Sequence, residues 1–259
     1  MDEPLRIHVR PELRQAAMVL AFEGWNDAGE AATTVLRFVS DAIRSVPLAE
    51  IDSEEFYDFT VRRPNVVLDH TRTRRVVWPE NHFRYGSVDA TRELITGIGV
   101  EPHLRWRTFS SQILKLAREL GVKRVVMLGA YLADVVYSRP VKVTGFASDP
   151  EELERLGVEA STYQGPTGII GVLGDCFQRE GVSVVSLWAG LPHYINASPN
   201  PRGALALLQC LTHGLDIRLD DEPLRRDAAE FEDKISRLVA SDPELSEYVK
   251  QLKRREFAQ

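Results

Sequence analysis

Only two cysteines, Cys176 and Cys210, occur in the 259 residues, far apart and without a CxxC pair. That excludes a disulfide framework and a thiolate metal or redox site, and both residues sit in apolar helical stretches as small hydrophobes. The six histidines, His8, His70, His82, His103, His193 and His213, never take the i, i+4 spacing of HExxH, so no metal is expected. Neither GxGxxG nor a GxSxG elbow occurs, and Ser148 and Ser161 stand beside no oxyanion motif. No cofactor is therefore expected. No stretch approaches the ~18 uninterrupted apolar residues of a membrane span, and Met1–Arg10 has no apolar signal core, which points to a cytoplasmic protein with no membrane partner. Positive charge is not in surplus either: 32 Lys and Arg face 38 Asp and Glu, for a net charge of −6. Phosphate binding draws on an excess of cations, so nucleic acid is not an expected partner.

What is present is the composition of a folded chain, 44% hydrophobic and 27% charged, at a length that buries a core without staples. Short apolar runs bounded by turn residues predict buried strands at Ala17–Phe22, Arg124–Leu128 and Val182–Trp188, with further strands at Arg72–Val77 and Val141–Phe146. Apolar residues at helical spacing predict helices over Ala28–Val46 and over Thr108–Leu120, where Gly121 is the stop. Strand followed by helix, repeated, predicts an α/β fold with a central mixed sheet flanked by helices. From Asp220 the chain turns polar, with apolar stripes at Phe231, Ile235, Leu238 and at Leu245, Tyr248, Val249, Leu252, separated by Asp242-Pro243. Residues 1–219 thus read as the core domain and 220–259 as a C-terminal helical hairpin, too short to bury a core of its own.

Four segments carry polar groups at strand ends, where open α/β sheets place their ligands. Phe22-Glu23-Gly24-Trp25-Asn26-Asp27-Ala28-Gly29 offers Asn26 and Asp27, and helix capping alone accounts for such a pair. Tyr163-Gln164-Gly165-Pro166-Thr167-Gly168 opens a helix near Pro166, with Thr167 as a hydroxyl donor beside free backbone N–H groups. Gly168 and Gly171 read as packing positions that let this helix lie close to a strand. Asp134 follows the second strand and has Arg139 as its nearest cation, and His193 leaves the third strand as the best acid or base among the histidines. The arginines of Arg72-Thr73-Arg74-Arg75 read as the solvated face of a strand.

Taken together, Phe22–Gly29, Gly129-Ala130-Tyr131-Leu132-Ala133-Asp134, Val143-Thr144-Gly145-Phe146-Ala147-Ser148, Tyr163–Gly168 and Leu191-Pro192-His193-Tyr194 resemble the proteasome assembly chaperone family, second chaperone type, in its actinobacterial branch. The resemblance spans roughly Ala16 to Leu215. It implies a fold similar to the phosphorylase/hydrolase-like, purine nucleoside phosphorylase-like class, a homo-oligomer of which a trimer is the expected form, and a protein partner. Family members that engage proteasome rings end in a hydrophobic residue, Tyr and any residue. This chain ends Phe257-Ala258-Gln259, so direct proteasome docking by its C-terminus is not expected.

Two functions follow as expectations. One is a non-enzymatic assembly-chaperone-like or scaffold protein. The other is a small-molecule-binding protein or hydrolase/transferase working from a ligand-binding rim of Asn26, Asp27, Asp134, Thr167 and His193. With no nucleophile, cofactor motif or metal set in view, the first is favoured.

Overall fold

The computed structural model describes residues 3–257, so Ala258 and Gln259, on which the C-terminal expectation rests, lie outside the described residues. The strands are β1 (Leu5–Ile7), β2 (Ala17–Glu23), β3 (Val46–Ile51), β4 (Asn65–Leu68), β5 (Arg74–Val77), β6 (Asn81–Ser87), β7 (Glu93–Val100), β8 (Arg124–Ala133), β9 (Val143–Ala147), β10 (Glu159–Ala160) and β11 (Ser183–Pro192). The helices are α1 (Ala31–Ala42), α2 (Trp106–Glu119), α3 (Pro150–Leu156), α4 (Ile169–Arg179), α5 (Pro201–Leu215), α6 (Glu222–Ser241) and α7 (Pro243–Phe257).

Nine strands form one mixed sheet in the order β1-β3-β6-β7-β2-β8-β11-β9-β10. Its centre, β7-β2-β8-β11, is parallel, while β6 and β9 join antiparallel on either side. Alternation along the central strands sets the two faces. Met18, Leu20 and Phe22 of β2 pack with Phe109, Ile113 and Leu116 of α2 and with Ile170, Leu173 and Phe177 of α4. Val19 and Ala21 of the same strand pack with Val35, Leu36 and Val39 of α1 and with Leu207, Leu208 and Leu211 of α5 on the opposite face. Strands buried on both faces read as continuous apolar runs, which is why β2, β8 and β11 are predicted from sequence.

The predicted helix Ala28–Val46 is shorter at both ends. Gly29 (φ 57°) and Glu30 (φ 50°) hold left-handed backbone before α1, and Arg44 (φ 49°) does the same after it, so Val46 enters a strand instead. The helix expected near Pro166 begins at Ile169, with Gly168 as its extended N-cap.

The tail lies on the core. Leu224 and Ala228 of α6 are buried, Leu224 within the α1–α5 layer, and Ile235, Val239, Val249 and Leu252 pack with Val136 and Ile195 from the loops after β8 and β11. Among the described residues no helix is long and apolar enough to cross a membrane.

Candidate functional site

The carboxyl edge of the parallel strands carries all five candidate residues, in two groups. The first is built around Asn26, which is fully buried. Its backbone carbonyl accepts from Ala130 N at 2.8 Å and extends the β2–β8 pairing past the end of β2. Its side-chain amide donates to Glu101 Oε1 at 2.7 Å, and the same oxygen accepts from Ile169 N at 2.8 Å. Glu101 therefore places a carboxylate on the first N–H of α4, the position that favours negative charge. Gly168 completes the arrangement: a Cβ there would fall 2.2 Å from Asn26 Oδ1 and 2.6 Å from Glu101 Oε1. The packing role expected of Gly168 is thus served, but against two polar side chains rather than against a strand. Asn26 Oδ1 has no hydrogen-bond partner among the described residues. Thr167 is exposed beside it, with its Oγ1 folded over Gly171 in the first turn of α4.

Asp27 is also buried and faces the other way, onto α1. Its Oδ1 accepts from Ala32 N at 2.7 Å and Thr33 N at 3.3 Å, and its Oδ2 accepts from Thr33 Oγ1 at 2.5 Å. This is the capping duty read from the sequence, delivered to a helix whose own N-cap, Glu30, supplies no side-chain bond. Burial pushes the Asp27 carboxyl above its ordinary value of 3.8, outweighing the bonds from Thr33 and Ala32 that favour the charged form.

The second group is Asp134 and His193, at the ends of β8 and β11. His193 Nδ1 lies 3.0 Å from Asp134 Oδ1, so the carboxylate expected to pair with Arg139 pairs with the histidine, while Arg139 reaches Glu256. Tyr248 of α7 joins them: its hydroxyl donates to Asp134 Oδ1 at 3.3 Å and sits 3.5 Å from His193 Nε2. The rings of His193, Tyr194 and Tyr248 meet edge to face at 5.3–5.7 Å between centroids. An acid, an imidazole and a hydroxyl are thus in contact, the members of a catalytic triad. Desolvation and then Asp134 raise the Tyr248 pKa, which makes the phenol harder to ionise. The cluster also ties α7 to the strand ends.

A 170 Å³ cavity lies between α6 and the core, lined by Val136, Tyr137, Leu191, Ile195, Phe231 and Ile235 among others, and none of the five candidates lines it. Among the described residues no group of three or more His, Cys, Asp or Glu side chains could hold a metal. Beside the exposed Asp134, Thr167 and His193, the rim presents large apolar side chains to solvent: Trp25, Leu104, Leu132 and Tyr163, at the ends of β2, β7 and β8 and before α4, are each more than half exposed.

Sequence reasoning missed Glu101 and the site role of Tyr248. Glu101 stands alone between Val100 and Pro102 in no motif, and Tyr248 lies on the apolar stripe of a tail helix. A helix opening on a glycine with no side chain to cap it is the one local sign that a carboxylate must arrive from elsewhere.

The chain shares its fold and much of its sequence with solved structures. A PAC2 family protein from Streptomyces avermitilis is 42% identical, with a TM-score of 0.83 over 90% of this chain and 99% of that one. A proteasome-assembly chaperone homologue from Mycobacterium tuberculosis is 37% identical, with a TM-score of 0.82 over the same shares. An archaeal proteasome activator from Pyrococcus furiosus, 17% identical with a TM-score of 0.71 over 90% of this chain and 97% of that one, has the same fold. Among curated proteins none matches in sequence. The model of the PAC2 family matches residues 21–239, most of the chain and all five candidate positions, and the chain belongs to that family.

Proposed function

We propose that this chain is a non-enzymatic, chaperone-like assembly factor that holds protein subunits at the carboxyl rim of its sheet. One observation carries the reading: at that rim the buried polar residues, Asn26 and Asp27, are spent on the starts of helices and the exposed Asp134 and His193 on each other and on Tyr248, while large apolar side chains stand in solvent. Asn26 and Glu101 serve the start of α4, Asp27 serves the start of α1, and Asp134 and His193 fasten α7. Trp25, Leu104, Leu132 and Tyr163 stand in solvent on the same edge. Exposed aromatic and aliphatic side chains gathered on one edge are the composition of a protein-binding surface, whereas turnover needs free acids, bases or nucleophiles. Similarity to the mycobacterial proteasome-assembly chaperone homologue supports proteasome subunits as the class of client. In this reading residues 1–219 hold the client and residues 220–259 form a helical appendage. The fold and the rim make their contacts as a homo-oligomer, with a trimer the expected form.

Native electrophoresis of the host's own proteasome α and β subunits, mixed with and without this protein, tests the proposal. The protein is expected to speed formation of assembly intermediates, and Trp25→Ser with Leu132→Ser to abolish the effect without changing the melting temperature. Equal assembly rates with and without the protein would overturn it.

A further inference from the structure

Strands β4 and β5 pair only with each other, outside the nine-stranded sheet. Every residue from 65 to 76 is exposed, on both faces of the ribbon, including Val66 at 61% and Leu68 at 62%. An isolated two-stranded hairpin is marginal in water, and its unpaired edges invite other chains. This one is nevertheless firmly shaped. Asp69 Oδ1 accepts from Thr71 N, Thr71 Oγ1 and Thr73 N at 2.6–2.9 Å across the turn, and Trp78 packs on Phe59 at the root, centroids 4.8 Å apart. The ribbon is therefore a stiff arm with apolar side chains that nothing among the described residues covers.

Its charge identifies what covers it. Residues 61–78 hold five arginines, Arg62, Arg63, Arg72, Arg74 and Arg75, against the single carboxylate of Asp69. This segment contributes +4 to a chain of net −6, which leaves the remainder at −10. Arg62 is held by Glu23, but Arg63, Arg72, Arg74 and Arg75 have no carboxylate within salt-bridge distance among the described residues. Two arms would repel one another, whereas an arm and the acidic body of another molecule attract.

We propose that the β4–β5 arm is a self-association element that docks on the acidic body of a second copy of this chain, burying Val66, Leu68 and Val76 there. Such an arm-to-body contact is either exchanged reciprocally between two copies or repeated head to tail around a ring. It rests on the homo-oligomer of the proposed function but not on the client rim, so the assembly assay and the sedimentation test can fail separately.

Sedimentation velocity of the full chain at micromolar concentrations, in low and high salt, is the test. The wild type is expected to sediment above the 29.2 kDa monomer and to weaken with salt. Arg74→Glu with Arg75→Glu is expected to raise the dissociation constant about tenfold or more by turning attraction into repulsion. Val66→Ser with Leu68→Ser is expected to weaken association while leaving its salt dependence in place. The two variants change different chemistry at exposed positions, so if one fails to fold, as judged by circular dichroism, the other decides. A wild type that remains monomeric would overturn the proposal. So would an oligomer undiminished in the folded variants, or an arm that binds duplex DNA or another acidic protein while the chain stays monomeric.

Discussion

Asn26 donates its side-chain amide to the carboxylate of Glu101 at 2.7 Å across 75 residues of sequence, and through that one oxygen the loop after β2 is joined to the start of α4. Glu101→Ala removes the acceptor from a fully buried amide and from Ile169 N together. Leaving a buried donor unpaired costs about 1–3 kcal/mol, which should appear as a fall of several degrees in the melting temperature. Glu101→Gln keeps an acceptor oxygen and is expected to lose less. Equal losses for the two variants would mean that the carboxylate's charge at the helix end matters more than the hydrogen bonds.

That junction also marks how far the sequence could be read. Strands β2, β8 and β11 announce themselves because burial on both faces demands unbroken apolar runs. Strand β7 lies equally central but does not, because Gly97 and Gly99 interrupt its pattern. Cβ atoms there would meet Phe83 and Leu20 at Gly97, and Asn81 at Gly99, so packing from neighbouring strands selects glycine against strand propensity. Capping by Asp27 is local, six residues or fewer in span, and is legible. The partners of Asn26, Asp134 and His193 are brought by topology from 75, 114 and 55 residues away, and no spacing rule contains them.

Gly168→Ala tests the close approach on the other side of the same carboxylate. The added methyl would meet Asn26 Oδ1 and Glu101 Oε1, so overpacking should cost about 1–3 kcal/mol. Asn26→Ala in the same chain empties the space and should recover part of that loss. A double-mutant cycle measured by urea denaturation gives the coupling. Strict additivity would mean that the alanine is accommodated by movement of α4 instead.

Asp27 predicts a pH dependence. Its folded-state pKa is raised, chiefly by burial, so folding favours the protonated carboxyl. The stability this contributes is fully present below the ordinary value of 3.8 and is lost as the pH rises through the higher folded value. Asp27→Asn keeps an acceptor for Ala32 N and carries no charge. The difference in melting temperature between the variant and the wild type should therefore move in the variant's favour from pH 4 toward neutrality. A constant difference across that range would show that hydrogen bonds to Thr33 compensate the burial.

Tyr248 fastens the tail, and its loss should be felt locally. The ring packs edge to face on His193 and Tyr194, the hydroxyl reaches Asp134, and around this point Tyr194 OH donates to Val135 O at 3.0 Å and accepts from Tyr137 N at 2.9 Å. Tyr248→Phe removes only exposed hydrogen bonds and should leave α7 docked. Tyr248→Ala removes the ring contacts as well, so the amides of α7 should exchange with solvent faster. The amides of β8 and β11 should keep their wild-type protection, because those strands are held by the two-sided core and not by the tail. Hydrogen exchange read by mass spectrometry separates the two variants. If both loosen α7 equally, the bond to Asp134 is what holds the helix; if neither does, Val249 and Leu252 in the apolar cluster with Val136 and Ile195 hold it without help.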